Sequence, residues 1–150
     1  ESPVRYVEAR VKTLHLNIDV DDIALLLCEH ENGTISTVSG AWCAPDRDWG
    51  WCEVHTTDGS LRVRHRRNEP DSLMRFTRAS GWQQLDIPGF ADQKFKDPSG
   101  HIGFFAATFE ALSNGDEMPI TGAQARQNLA IIEAARLATD SRRAIDLDEL

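Results

Sequence analysis

Cysteine is scarce in this chain, and its placement excludes two classes at once. Cys28, Cys43 and Cys52 are odd in number and include no Cys-x-x-Cys spacing, so neither a disulfide framework nor a zinc knuckle is expected. Reduced thiols in a cytoplasmic protein are the expectation. No apolar run reaches the length of a membrane span, and no signal-peptide pattern is present. Positive charge is also short: 16 Lys and Arg stand against 24 Asp and Glu, a net charge of -8. That balance argues against a nucleic-acid partner, which would want a basic face. The one basic cluster, Arg62, Arg64, His65, Arg66 and Arg67, reads as a solvated strand end. Internal repeats, low-complexity segments and a domain-splitting linker are absent as well. At 150 residues, one domain is expected, large enough to bury roughly two-thirds of its unfolded surface. The chain opens on Glu1 without a methionine, which reads as a trimmed or excised piece, although N-terminal processing or renumbering gives the same start.

What is present is a run of short strands followed by helices. Residues 4–14 favour a strand, although their apolar positions keep no strict alternation. Residues 23–30 (IALLLCEH) are nearly all apolar, which predicts a strand covered on both faces. Asn32-Gly33 predicts a type I′ hairpin into residues 34–42, because both residue types tolerate positive φ. Residues 52–57, 61–66, 73–78 and 82–87 read as further strands, with Asp58-Gly59 as a second tight turn. Asp97-Pro98 opens a helix with the apolar stripe Ile102, Phe105, Phe109 and Leu112, ending at Asn114-Gly115. Thr121 and Gln124 fit a capping box for a helix of about four turns within residues 119–138. Ala125, Leu129, Ile132 and Ala135 are its predicted buried face. Residues 143–147 add a short strand. The expected fold is α+β: an open, mostly antiparallel sheet of about six strands with two C-terminal helices packed on one face. Its other face calls for a second domain or subunit.

Candidate sites follow from residue chemistry. Residues 42–51 (WCAPDRDWGW) gather three of the four tryptophans beside two aspartates and an arginine. Sugar and polyol recognition wants this mixture, with flat rings on C–H surfaces and charged forks on hydroxyls. Asp46, Arg47 and Trp49 are therefore candidate substrate contacts, against the plainer reading that Trp42 and Trp51 are core and the aspartates serve a turn. His101, at a helix start beyond Lys94 and Lys96, is a fourth candidate, since imidazole donates or accepts near neutral pH. His15, Asp19, Asp21 and Asp22 are metal-ligand types, but nothing fixes them on one helix face, so no metal is predicted. His30, His55 and His65 share no face, and no Ser-His-Asp or Cys-His set can be assembled.

Gly122, Ala125, Arg126, Leu129, Ile131, Ile132, Glu133, Ala134 and Ala135 resemble the last long helix of the glucose–fructose oxidoreductase / inositol dehydrogenase / rhizopine-catabolism (Gfo/Idh/MocA) family. The resemblance extends in order through Asp21-Asp22, Asn32-Gly33, Glu53 with Asp58-Gly59-Ser60-Leu61, and Phe105, Phe109, Ala111, Leu112, Gly115 and Pro119. It implies the substrate-binding and oligomerisation domain of an NAD- or NADP-dependent oxidoreductase acting on a sugar, inositol or similar polyol. It also implies an N-terminal Rossmann domain as partner, and a homo-oligomer joined through the open sheet face. The family's Gly-rich dinucleotide half, its Glu-Lys-Pro motif and its H-x-x-D helix have no match here; His15 and Asp19 are one residue too far apart. No catalytic or cofactor-binding residue is therefore assigned, and the chain alone is expected not to catalyse. The alternative is a free-standing carbohydrate- or protein-binding module of the same fold.

Overall fold

The computed structural model describes residues 2–42, 51–64, 72–87 and 101–150. In chain order the strands are β1 (Val4–Lys12), β2 (Ile23–His30), β3 (Ile35–Ala41), β4 (Trp51–Thr56), β5 (Gly59–Arg64), β6 (Ser72–Thr77), β7 (Gly81–Leu85) and β8 (Ile145–Asp146). The helices are α1 (His101–Asn114) and α2 (Gly122–Ser141), and a short 3-10 turn, Leu147–Glu149, follows β8. The fold is α+β. Among the described residues eight strands form two antiparallel sheets of four, ordered β3-β2-β1-β8 and β4-β5-β6-β7, roughly consistent with the mostly antiparallel arrangement of about six strands that the sequence pattern predicted. The chain groups into two compact units, one of Glu1–Pro45 with Ile120–Leu150 and the other of Asp46–Pro119.

In the first unit α2 packs on one face of the sheet. Val7, Ala9, Leu26, Cys28 and Ile145 from the strands meet Ala134, Ala135 and Ala138 from the helix. The broken alternation of the first strand has a cause in register. A bulge between Val4 and Tyr6 inverts the side-chain phase, so Val4 packs against the core that Val7, Ala9 and Val11 also reach. Beyond the two-residue strand β8, the free edge of β1 would leave a backbone donor without a partner. Thr139 of α2 supplies one: its Oγ1 accepts from the Val11 amide at 2.9 Å.

The phase of α2 differs from the predicted face. Ala135 is buried, but Leu129 and Ile132 are exposed, and the inward row is Ile131, Ala134 and Ala138. Alanine is preferred there because a helix lying close to a sheet has no room for longer side chains. The capping box is formed as expected: the Gln124 amide donates to Thr121 Oγ1 at 3.2 Å, and the Thr121 amide donates to Gln124 Oε1 at 2.8 Å. The helix runs 20 residues, longer than its apolar periodicity predicts, and ends on Arg142 in a left-handed conformation.

The second strand also departs from expectation. Leu26 and Cys28 are buried beneath α2, but Leu25 is 57% and Leu27 44% exposed, so β2 is covered on one face only. The β2–β3 hairpin is closed by the Gly33 amide donating to the His30 carbonyl at 2.9 Å. Gly33 alone takes positive φ, at 80°, which makes this a three-residue loop with a glycine bulge rather than a type I′ turn. Asn32 serves through its side chain, accepting from the Thr34 amide at 3.0 Å.

In the second unit the Asp58-Gly59 turn starts β5 beside β6. A Cβ on Gly59 would stand 2.1 Å from the backbone carbonyl oxygen of Phe76, so only glycine fits. Gly59→Ala is expected to lower unfolding free energy by about 1–3 kcal/mol, measured by urea denaturation. Helix α1 ends as predicted: Gly115 takes φ 73°, and the Asp116 amide donates to the Ala111 carbonyl at 2.9 Å. Its apolar stripe of Ile102, Phe105, Phe109 and Leu112 is exposed.

Candidate functional site

Of the four predicted substrate contacts, Asp46, Arg47 and Trp49 lie outside the described residues, as do Lys94, Lys96 and the Asp97-Pro98 cap. His101 is the first residue of α1 and is exposed there. Trp42 is 78% exposed at the end of β3, which removes the reading that it is a core residue.

The second sheet carries a polar and aromatic cluster that the sequence pattern did not reveal. Glu53 on β4 faces Arg62 on β5 in register. The guanidinium forks onto the carboxylate, Nε to Oε2 at 2.9 Å and Nη2 to Oε1 at 3.0 Å. Its plane also lies over the Trp82 ring, 4.4 Å from the centroid, and Trp82 leans on Phe76 at 5.5 Å. The guanidinium beside it holds the Glu53 carboxyl below the usual carboxylate range, and His55 adds a smaller pull. Arg62 is thus part of a cross-strand network rather than a bare solvated strand end. The signal was its register with Glu53, which no single strand displays.

His55 and Ser60 extend the same row. Ser60 Oγ lies 2.8 Å from His55 Nδ1, and His55 Nε2 lies 3.5 Å from Glu53 Oε1. The order of groups is that of a hydrolytic triad, but the carboxylate oxygens are both taken by Arg62. The Glu–His separation also exceeds the span of about 2.6–3.2 Å over which a carboxylate orients a base. This row stabilises the β4–β5 hairpin and presents an aromatic face beside hydrogen-bonding groups.

Asp22 is the one buried polar residue identified among the described residues. Its Oδ1 accepts from the Leu14 amide at 2.8 Å, and its Oδ2 accepts from the His15 and Leu16 amides at 2.7 Å and 2.8 Å. Those backbone donors, led by Leu16 and Leu14, hold its carboxyl below the usual range. The residue therefore pins the residues between β1 and β2 and does not await a ligand. Among the described residues no group of three or more His, Cys, Asp or Glu is arranged to hold a metal.

Every strand pairing in the two sheets is antiparallel. A dinucleotide cradle requires a strand, a Gly-rich turn and a helix leading to a parallel strand. The described residues do not provide that arrangement, so no step of hydride transfer is assigned to them.

Residues 1–62 match the family model for the GFO/IDH/MocA C-terminal domain. Over those first 62 residues the chain is similar to the Gfo/Idh/MocA C-terminal domain. No curated protein matches it in sequence. The fold recurs in solved structures over nearly the whole chain. An oxidoreductase from Agrobacterium radiobacter, in complex with NAD+, L-tartaric acid and magnesium, superposes with a TM-score of 0.77 at 20% identity, covering 98% of this chain and 44% of that one. An oxidoreductase domain protein from Kribbella flavida gives 0.78 at 16% identity, covering 97% and 45%. Aldose-aldose oxidoreductase from Caulobacter crescentus, complexed with glycerol, gives 0.73 at 14% identity, covering 97% and 42%. The chain thus spans less than half the length of these structures. No helix among the described residues is long and apolar enough to cross a membrane.

Proposed function

We propose that this chain is the substrate-binding and oligomerisation domain of an NAD- or NADP-dependent oxidoreductase acting on a sugar, inositol or similar polyol. The observation that carries the reading is its extent. Nearly all of this chain superposes on rather less than half of each matched oxidoreductase, and one of those holds NAD+ with a hydroxy acid while another holds glycerol. The cofactor and the groups that move the proton and hydride belong, on this reading, to a Rossmann domain of the parent enzyme. This chain contributes the wall against which the substrate lies.

Asp46, Arg47, Trp49 and His101 are the proposed substrate contacts. Carboxylate and guanidinium forks select hydroxyl donors and acceptors, and an indole face covers the C–H side of a ring. The outer face of the first sheet, with Leu25 and Leu27 exposed, is the proposed subunit interface. The test uses the protein encoded by the complete reading frame, assayed with a panel of sugars, inositols and polyols by absorbance of the reduced nicotinamide. Turnover of at least one of them is expected, with Arg47→Ala and Trp49→Ala lowering kcat/KM by about tenfold or more. Absence of turnover across the panel with both nicotinamides would refute the assignment.

A further inference from the structure

Register lines up side chains in rows across one face of the second sheet. His55 on β4 pairs with Ser60 on β5, Ser60 with Phe76 on β6, and Phe76 with Trp82 on β7. Glu53 and Arg62 begin the next row, two residues along each strand and therefore on the same face. The first row crosses the whole sheet, a span of about 14 Å, and its ends differ in chemistry. At the β4 end Ser60 Oγ lies 2.8 Å from His55 Nδ1, and His55 Nε2 stands 3.5 Å from Glu53 Oε1. An ionised carboxylate only accepts, so it favours the tautomer with the proton on Nε2, and the Ser60 hydroxyl then donates to Nδ1. The gap is too long for a good direct hydrogen bond. It suits one hydroxyl group lying over both atoms, accepting from Nε2 and donating to Oε1. A lone pair remains for it, because Oε1 accepts a single bond from Arg62. At the β7 end Trp82 is 40% exposed. Arg62 lies over part of its ring and Phe76 leans on it, so the indole is held in place before any ligand arrives.

We propose that this face binds a saccharide of more than one ring. Sugars combine hydroxyls, which donate and accept at the same atom, with C–H surface that packs on aromatic side chains. The row offers the two kinds of contact at opposite ends, farther apart than one sugar ring reaches. A hydroxyl of one sugar unit bridges His55 and Glu53, and a later unit covers the exposed part of Trp82. Asp46, Arg47, Trp49 and His101 take no part in it, and neither this site nor the oxidoreductase reading depends on the other.

The test is isothermal titration calorimetry of the protein encoded by the complete reading frame with maltotriose and with cellotriose, without nicotinamide. Binding of one or both in the millimolar range or tighter is expected. Trp82→Ala should weaken it about tenfold, and Trp82→Phe should recover part of that loss. His55→Ala should weaken it about fivefold. That side chain is 71% exposed, so its removal opens no core. Trp49→Ala should leave the trisaccharide affinity unchanged. A wild type that binds neither trisaccharide, or binding that survives Trp82→Ala or His55→Ala, overturns this site and leaves the oxidoreductase reading standing. Binding lost in Trp49→Ala but kept in the other two variants assigns the saccharide to the substrate contacts and overturns it as well.

Discussion

Replacing Asp22 with alanine should lower the thermal midpoint by about 10 °C, the largest single effect expected outside the α2 interface. The side chain accepts three consecutive backbone amides, and the alanine variant leaves Leu14, His15 and Leu16 without that partner. Its own backbone ties two more elements: the Asp22 amide donates to the Lys12 carbonyl at 3.0 Å, and the Trp42 amide donates to the Asp22 carbonyl at 2.8 Å. Loss of the carboxylate should therefore loosen the residues between β1 and β2 and the end of β3 together. Asn is a partial substitute, because its single acceptor oxygen cannot serve both Oδ positions.

The pH dependence follows from the direction of the shift. The folded-state carboxyl of Asp22 is held below its ordinary value by the amide donors, led by Leu16. Stability from this group is then fully present above the unfolded value of about 3.9 and is lost as pH falls through the lower folded value. Circular dichroism melts from pH 7 down to about pH 2 should show wild type losing its advantage over Asp22→Asn only below about pH 4. An equal difference at pH 7 and pH 2 would show that the carboxylate contributes nothing ionic.

The second large effect concerns helix phase. Ala134 and Ala138 are fully buried between α2 and the first sheet, whereas Leu129 and Ile132 are 67% and 57% exposed. Ala138→Leu adds volume where the helix meets the strands and should cost about 2–3 kcal/mol in chemical denaturation. Displacing the helix would also strain the bond from the Val11 amide to Thr139. Leu129→Ala, in contrast, should change stability by no more than about 0.5 kcal/mol in the monomer. If the apolar periodicity alone set the phase, the two results would be reversed.

These cases mark what the chain discloses before folding. The capping box at Thr121 and the Gly115 cap were legible because each is settled by a few neighbouring residues. The strands themselves were also legible, to within one or two residues at most ends. The buried face of α2 was misread because large apolar residues dominate a periodicity, while close helix–sheet approach selects alanine. The covered reading of β2 failed for a related reason: a continuous apolar run does not say whether its second cover lies within the same chain. Nothing in the sequence set Asp22 apart from Asp19 and Asp21, since its amide partners are set by the path of the intervening turn. The Glu53–Arg62–Trp82 stack needed the register of β4, β5, β6 and β7, which no single segment contains. Of the proposed substrate contacts, only His101 falls among the described residues.

Helix α2 seals one face of the first sheet, and the oligomerisation proposal is that the opposite face meets another copy of the chain. Light scattering coupled to size-exclusion chromatography tests it directly, comparing wild type with Leu27→Asp at about 100 μM, well within the range of ordinary subunit interfaces. The account predicts a dimeric mass for wild type and a folded monomer for Leu27→Asp. A monomeric wild type, or a dimer that survives the aspartate, would contradict it.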